Sequence, residues 1–463
     1  MGNKRHSASK HHRSAAQMRG RQRQRAPQDL ETTPFEVDVQ GFSHDGRGIG
    51  RWREKTLFVS GALPGETVLC KQSASHGRFN EAKTLSVIQA SSERVEAPCE
   101  FYQRCGACDL QHLAVDKQLI RKQESVLDQL QRLGGLQPEK ILPALASEPQ
   151  NYRVRARLAV QWTKAGEPSL GFRGEGSKQV VPISQCTVLH PSIDQLLRPL
   201  TEWLLSIERN RPVTHIELSA DLEGACILVR HTRKLEQVDR DSLNILAEKY
   251  SAEVYLQAEN DGVLLDLQGA TVDPRRHYGL PEFELNLSFH PSDFIQVNPE
   301  LNKKMVGQAL DLLNLDASDK VVDLFCGIGN FTLPIARRAA SVIGIEAQET
   351  MVARGRENAA ANGMDNATFV AANLEKPMAT GLLGKGKVDA ILLDPPRSGA
   401  AGAMPFIAQL KPSKLVYVSC NPSTLARDAK MLVEHGYRFD TLGIMDMFPH
   451  TSHVESMALF LLE

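Results

Sequence analysis

Eight cysteines occur in the 463 residues, and their placement is uneven. Cys99, Cys105 and Cys108 crowd one short Gly-containing stretch, and Cys186 follows well downstream. Four thiolates of this kind could hold a zinc ion or an iron–sulfur cluster, because soft sulfur sets suit both, and the spacing leaves that choice open. Cys70, Cys226 and Cys326 lack such grouping and read as ordinary buried residues. Cys420 stands in "SCNP", between an apolar run and a helix whose natural cap is Ser423 or Thr424. A cysteine beside a helix N-terminus is expected to favour the thiolate, a soft nucleophile. Such a nucleophile needs a partner that moves a proton. Glu455, in "FPHTSHVES", is the carboxylate of a closing β segment that can return beside the Cys420 strand. His450 and His453 read as structural or hydrogen-bonding residues.

A third set of residues has the character of a ligand cradle. "DLFCGIGNFT" begins at Asp323, and its glycines let a backbone approach a ligand closely. It lacks the third glycine of a dinucleotide fingerprint, which argues against NAD or FAD. Glu346 follows Gly327 by about twenty residues, where a carboxylate can accept both hydroxyls of a ribose. The elements that must position these groups are legible as strand–helix alternation. Strands are predicted at 320–325, 341–346, 368–372, 388–394 and 414–419, with helices at 348–362 and 423–435 between them. A β pair at 438–447 and 453–462 closes the chain. This is the pattern of a doubly wound parallel sheet, in which ligands bind beyond the carboxyl ends of the strands. Four of those ends are polar: the Gly-rich turn, Glu346, Asn373 and Asp394.

Upstream lies a mixed α/β region. Helical periodicity runs over 113–133 and is ended by Gly134 and Gly135. A strand at 151–160 sets Arg153, Arg155 and Arg157 on one face, where they are expected to form an exposed track for phosphates. From Pro34 to Gln89, short apolar runs punctuated by Gly and Pro read as a small β-barrel, with a Gly-rich turn from Gly41 to Arg51. Before it, Met1 to Gln28 holds eight Lys or Arg and no acid, and is expected to be disordered and suited to a phosphate backbone. At 42% hydrophobic and 24% charged, with no apolar run of transmembrane length and no signal-like N-terminus, the chain is expected in the cytoplasm. A reducing compartment favours metal ligation or catalysis over disulfides for its cysteines.

The motifs "DLFCGIGNFTLP", "LLDPPRSG", "YVSCNPSTLARD" and "HVES" together resemble the bacterial RNA 5-methyluridine methyltransferase family. "HDGRGIGR" and "ALPGETV" resemble the TRAM domain of RNA-modifying enzymes. The resemblance implies an α/β protein in four parts: a basic tail (1–32), a TRAM or OB-like barrel that contacts RNA (33–90), a cluster-bearing middle domain (91–292), and a class I, Rossmann-like S-adenosylmethionine methyltransferase domain (293–463). It implies cofactor contacts from Gln296 (in "FIQVNPELN"), Phe325, Asn330, Glu346, Asn373 and Asp394. It makes Cys420 the nucleophile that adds to C6 of a uracil and Glu455 the base that removes the C5 proton. It also makes Cys99, Cys105, Cys108 and Cys186 the ligands of a [4Fe–4S] cluster. Barrel, cluster and catalytic domain together resemble the members that modify large-subunit (23S) ribosomal RNA, so the expected substrate is a uridine flipped from a structured loop or bulge of that RNA. No membrane and no obligate protein partner is expected. The same chemistry on transfer RNA or another ribosomal uridine is the nearest alternative. A radical S-adenosylmethionine enzyme is disfavoured, because Cys186 offers a fourth ligand and Cys420 a polar mechanism. A non-catalytic assembly factor is disfavoured by the presence of both Cys420 and Glu455.

Overall fold

The computed structural model describes residues 30–207, 211–259, 262–376 and 387–463, so the basic run of the predicted tail lies outside it. Five strands, β1 (Phe35–Phe42), β2 (Gly48–Trp52), β3 (Lys55–Ser60), β4 (Thr67–Ser75) and β5 (Phe79–Gln89), close into a barrel in the order β1-β2-β3-β5-β4. Val37, Val39, Leu57, Val59, Val68 and Cys70 fill it. Of the Gly-rich run predicted as one turn, Gly41 and Phe42 end β1 and β2 begins at Gly48, so only the residues between them turn. Its glycines are there for want of room. A Cβ on Gly48 would lie 2.7 Å from Val39 and 2.9 Å from the Ala62 carbonyl, and one on Gly50 would lie 2.8 Å from the Asp38 carbonyl. The barrel wall closes tightly because this strand is nearly bare.

Helix α1 (Val115–Gln129) runs on through one π turn to Gly134 and stops at Gly135, whose φ of 67° is left-handed. A short strand, β6 (Lys140–Ile141), follows. The middle sheet holds β7 (Arg155–Trp162), β8 (Pro168–Arg173), β9 (Val180–Pro182), β10 (Val213–Asp221), β11 (Gly224–His231), β12 (Ala252–Ala258), β13 (Leu264–Leu265) and β14 (Thr271–Val272), in the order β14-β13-β12-β11-β10-β7-β8-β9. Helices α2 (Pro191–Asp194), α3 (Leu197–Ser206) and α4 (Gln237–Lys249) contribute to its apolar core through Ile193, Leu200, Trp203 and Leu243. The predicted arginine track is not an exposed face. Arg155 lies 3.5 Å from Glu217, which also pairs with Arg230, and it donates to the carbonyls of Pro291 and Asp293. The chain leaving the middle sheet covers this side of β7, and only Arg157 is well exposed.

A hairpin, β15 (Arg276–Leu280) and β16 (Leu285–Phe289), leads through α5 (Pro299–Leu313) into the last sheet. There β17 (Lys320–Leu324), α6 (Thr332–Ala336), β18 (Ser341–Glu346), α7 (Glu349–Ala361), β19 (Ala367–Ala371), β20 (Ala390–Leu393), α8 (Met404–Leu410), β21 (Lys414–Ser419), α9 (Pro422–Glu434), β22 (Tyr437–Met445) and β23 (Glu455–Leu462) follow in turn. The order is β19-β18-β17-β20-β21-β23-β22-β6. The first five strands are parallel, β23 is antiparallel to β21 and β22, and β6 joins the edge parallel to β22. One face packs against α5, α6 and α7, through residues such as Leu301, Leu333 and Val352. The other packs against α8, α9 and also α1, through Ile407, Leu425, Val126 and Leu130. The five predicted parallel strands and the two predicted helices are all present, and each predicted boundary lies within two residues of the observed one.

Candidate active site

The carboxyl ends of β17, β18, β20 and β21 meet along one rim. After β17 the chain turns at Phe325, whose φ of 64° is unusual for a side chain with a Cβ. The turn is held by two amides, Phe325 N–H and Cys326 N–H, donating to the Ile345 carbonyl at 2.8 and 3.1 Å. Gly329 then takes φ 101°, where a Cβ would press on the Phe369 ring at 3.1 Å. The turn presents the Gly327 amide to Glu346 at 3.3 Å, and Glu346 also accepts from the Ala347 and Gln348 amides. Asp394 directly follows β20, with its amide on the Leu324 carbonyl. Asn373 sits exposed beyond β19 and accepts from the Glu375 amide. Asn330 exchanges two hydrogen bonds with Asn302, each 2.9 Å, and accepts a third from the Tyr278 hydroxyl. Gln296 lines a large groove with Tyr278, Ile295, Asn298 and Asn302, so it lies on the Asn330 side of the rim.

Sequence reasoning missed Asp323. Its side chain is fully buried, and one oxygen accepts from the Thr332 hydroxyl at 2.5 Å. The other oxygen has no hydrogen-bond partner among the described residues. Burial, with Asp394 and Glu346 nearby, pushes it up to about 8, and burial pushes Asp394 up to about 7. Three carboxyl groups crowded at one set of strand ends make a site that a cation would stabilise. The only sequence signal was an acid inside the otherwise apolar run of β17.

Cys420 follows the last residue of β21, and Asn421, not Ser423 or Thr424, caps α9 by accepting from the Ser423 amide. The antiparallel register of β21 with β23, in which Ser419 faces Ser456, sets Glu455 across from Cys420. The expected ease of thiolate formation is overturned. Burial, then Glu455 and Asp394, push the Cys420 thiol up to about 11 against the opposing field of Arg397. A helix end is a weak partial charge beside two carboxyl groups in a desolvated site. Burial and Asp394 likewise hold Glu455 well above the usual carboxylate range. Arg397 was also missed. Its guanidinium lies 3.3 Å from His453 Nε2, its carbonyl accepts from Asn421 Nδ2 at 3.0 Å, and its field reaches Cys420 and Glu455.

Away from this rim, Cys99, Cys105, Cys108 and Cys186 line one small pocket together with Phe101, Tyr102 and Gln111. Burial pushes Cys108 up to about 12 and Cys186 up to about 11, and Cys99 and Cys105 add to both shifts. Among the described residues, no three His, Cys, Asp or Glu side chains are grouped as the ligands of a single metal ion. The pocket therefore joins the four predicted sulfurs without drawing them together around one atom.

The family described as tRNA (Uracil-5-)-methyltransferase matches residues 114–462, and the TRAM domain matches residues 31–85. A protein of Alkalilimnicola ehrlichii, named 23S rRNA (uracil(1939)-C(5))-methyltransferase RlmD, is 43% identical over 95% of this chain and 98% of its own. The like-named protein of Pseudomonas putida is 43% identical over 94% of this chain and 95% of its own. Among solved structures, the Pyrococcus abyssi tRNA (uracil-54, C5)-methyltransferase in complex with S-adenosyl-L-homocysteine superposes with a TM-score of 0.70 at 23% identity. It covers 92% of this chain and 100% of that one, which makes the two alike in fold.

Proposed function

The chain belongs to the tRNA (uracil-5-)-methyltransferase family, and from that premise we propose that it transfers the methyl group of S-adenosylmethionine to C5 of a uridine in 23S ribosomal RNA. The substrate reading draws on relatives that match nearly the whole chain and on the barrel that matches an RNA-binding domain. The observation that carries the chemistry is the pairing of Cys420 with Glu455 across β21 and β23, beside strand ends rich in carboxyl groups.

S-adenosylmethionine supplies an electrophilic methyl group on a cationic sulfur. The carboxyl groups of Glu346 and Asp394 suit that charge, and Gln296, Phe325, Asn330 and Asn373 are the further contacts we assign to it. Cys420 Sγ adds to C6 of the uracil, which gives C5 the electron density of an enolate and lets it take the methyl. The proton that Cys420 gives up has an adjacent acceptor in Asp394, poised near neutrality, which leaves Glu455 unprotonated for the later step. Once C5 carries the methyl, Glu455 takes the C5 proton, the C5–C6 double bond forms again, and sulfur leaves. A carboxylate held above its ordinary range is the stronger base for that step. The uracil must leave its stack to reach both groups, which is cheapest in a loop or bulge.

The four-cysteine pocket is assigned to a [4Fe–4S] cluster, which its soft, all-sulfur donor set fits. The cluster would tie the loop of Cys99 to Cys108 to the segment of Cys186, and no catalytic step is routed through it. Divisions at 32, 90 and 292 between tail, barrel, middle and catalytic parts, and a cytoplasmic location, complete the reading. No helix among the described residues is long and apolar enough to cross a membrane.

Denaturing electrophoresis of the protein with labelled 23S RNA tests the mechanism. RNA carrying 5-fluorouridine should leave a denaturation-resistant band with the wild type, because fluorine cannot depart as a proton does. Cys420→Ala should form neither adduct nor product, and Glu455→Gln should accumulate a methylated adduct. Methylation by Cys420→Ala would overturn the assignment.

A further inference from the structure

The segment 446–454, which joins β22 to β23 and ends beside Glu455, is a loop with a mostly buried course. Asp446, Met447, His450 and Thr451 are all under 7% exposed. A buried loop must find hydrogen-bond partners for its backbone in other elements. Most of the partners here lie far away in the chain. The His450 carbonyl accepts from the amides of Asp109 and Leu110, at 3.1 and 2.9 Å, and these are the residues that follow Cys108. Gln118 of α1, with no exposed surface, holds the same residue. Its Oε1 accepts from the His450 amide at 2.8 Å and its Nε2 lies 3.2 Å from His450 Nδ1. The same Nε2 donates to the carbonyls of Leu110 and Leu113, so one amide group stitches the cysteine loop to the catalytic loop. One turn along α1, Lys122 Nζ donates to Asp446 Oδ1 at 2.6 Å and to the Phe448 carbonyl at 3.2 Å. The Tyr152 hydroxyl donates to the Pro449 carbonyl, and the Ser452 hydroxyl to Asp109.

His450 itself has a φ of 69°, which a histidine keeps only where its surroundings over-determine it. Release of these bonds would let that residue relax, and the relaxation would pass along the few residues that separate it from Glu455. Cys420 is anchored differently. Its strand tip is fixed by Asn421 on the Arg397 carbonyl and by the Tyr417 hydroxyl on Asp428, none of which involves Gln118 or Lys122. The α1 anchors of the loop are therefore distinct from those of the Cys420 tip, and among the described residues the two groups share only the β21–β23 pairing and the Arg397–His453 contact.

We infer that Gln118, Lys122 and Asp109 are positioning residues for proton abstraction: α1 and the cysteine loop form a template that sets Glu455 against C5 of the bound uracil. This rests on the assignment of Glu455 as the base. The template acts on the second half of the reaction, after sulfur has added and the methyl has moved. Loss of an anchor should then slow elimination more than attack, whereas a merely structural defect would slow both alike.

The test is single-turnover kinetics of the full chain on an unmodified 23S ribosomal RNA transcript. Adduct formation and release of methylated RNA are followed separately on denaturing gels for Gln118→Met, Ser452→Ala and Glu455→Gln. Gln118→Met should form adduct within about twofold of the wild-type rate but release product on the order of tenfold more slowly, as expected for a misplaced reacting group. Ser452→Ala removes one exposed hydrogen bond and should show the same asymmetry, about two- to fivefold. It decides the matter if Gln118→Met fails to fold. Equal slowing of both steps, or release at the wild-type rate while Glu455→Gln stalls as a methylated adduct, overturns the template alone. Normal release by Glu455→Gln removes the base assignment, and the template with it.

Discussion

Cys420 illustrates how a residue's neighbours outweigh its place on an element. With the thiol held up to about 11, the thiolate fraction of the free protein at pH 7.5 is on the order of one in a thousand or less. Alkylation of the Cys420 peptide, followed by mass spectrometry, should therefore rise about tenfold per pH unit from 7 to 10. An ordinary thiol instead levels off near pH 9. The sign follows from burial first and charge second: a desolvated thiol beside carboxyl groups resists ionisation, so reactivity appears only as pH climbs toward the raised value. A plateau below pH 9 would show that burial and the carboxyl groups of Glu455 and Asp394 do not hold the thiol up. Cys420, Glu346 and Asp394 stand out in the sequence because they lie at the ends of apolar runs, and Glu455 because it opens the run that pairs with the strand before Cys420. Asp323 does not, since one acid in an apolar strand looks alike whether or not β18 and β20 bury it from both sides. Arg397 was hidden in the same way, because its neighbours His453, Asn421, Cys420 and Glu455 all lie far from it along the chain.

Elements place these residues through close approaches that single atoms can spoil. Helix α7 lies on β19 with Gly355 against the Phe369 ring, and a Cβ there would sit 2.4 Å from two ring carbons. Phe369 is buried at 2% exposure and cannot swing away. Gly355→Ala should accordingly cost about 1–3 kcal/mol, read as a lower urea midpoint at unchanged slope, since overpacking forces backbone shifts. A midpoint equal to wild type would mean that α7 moves freely on the sheet. The parallel strands were readable from their apolar runs and polar ends. Strand β2 was not, because Gly48 and Gly50, which permit the tight barrel wall, carry the signature of a turn. The arginines of β7 misled for a related reason: alternation assigns a face, but the chain at Pro291 and Asp293 that covers that face comes from elsewhere.

At the scale of the whole molecule, the cysteine pocket is a junction. Cys99 and Cys108 flank the loop whose next residues hold His450, and the Cys99 amide donates to Gln111, which also lines the pocket. Cys108→Ala should lose iron and acid-labile sulfide together, measured on anaerobically purified protein, and should become susceptible to proteolysis near residues 99–110. Stoichiometric zinc in the wild type would contradict the cluster. Which pieces of chain dock together at this scale was the least legible level, since nothing in α1 announces that its apolar side belongs to the distant catalytic sheet. That docking has a consequence in time. Gln118 and its partner His450 are 332 residues apart. At about 5–20 residues per second on the ribosome, helix α1 emerges roughly 15–65 s before the loop it grips exists. Through that interval Val126 and Leu130 lack the sheet that buries them, so a nascent chain of this protein carries an early, long-lived sticky surface. Any polypeptide truncated before β22 would keep that surface for good, marked for chaperones or proteases by the very helix that the finished enzyme uses as a scaffold.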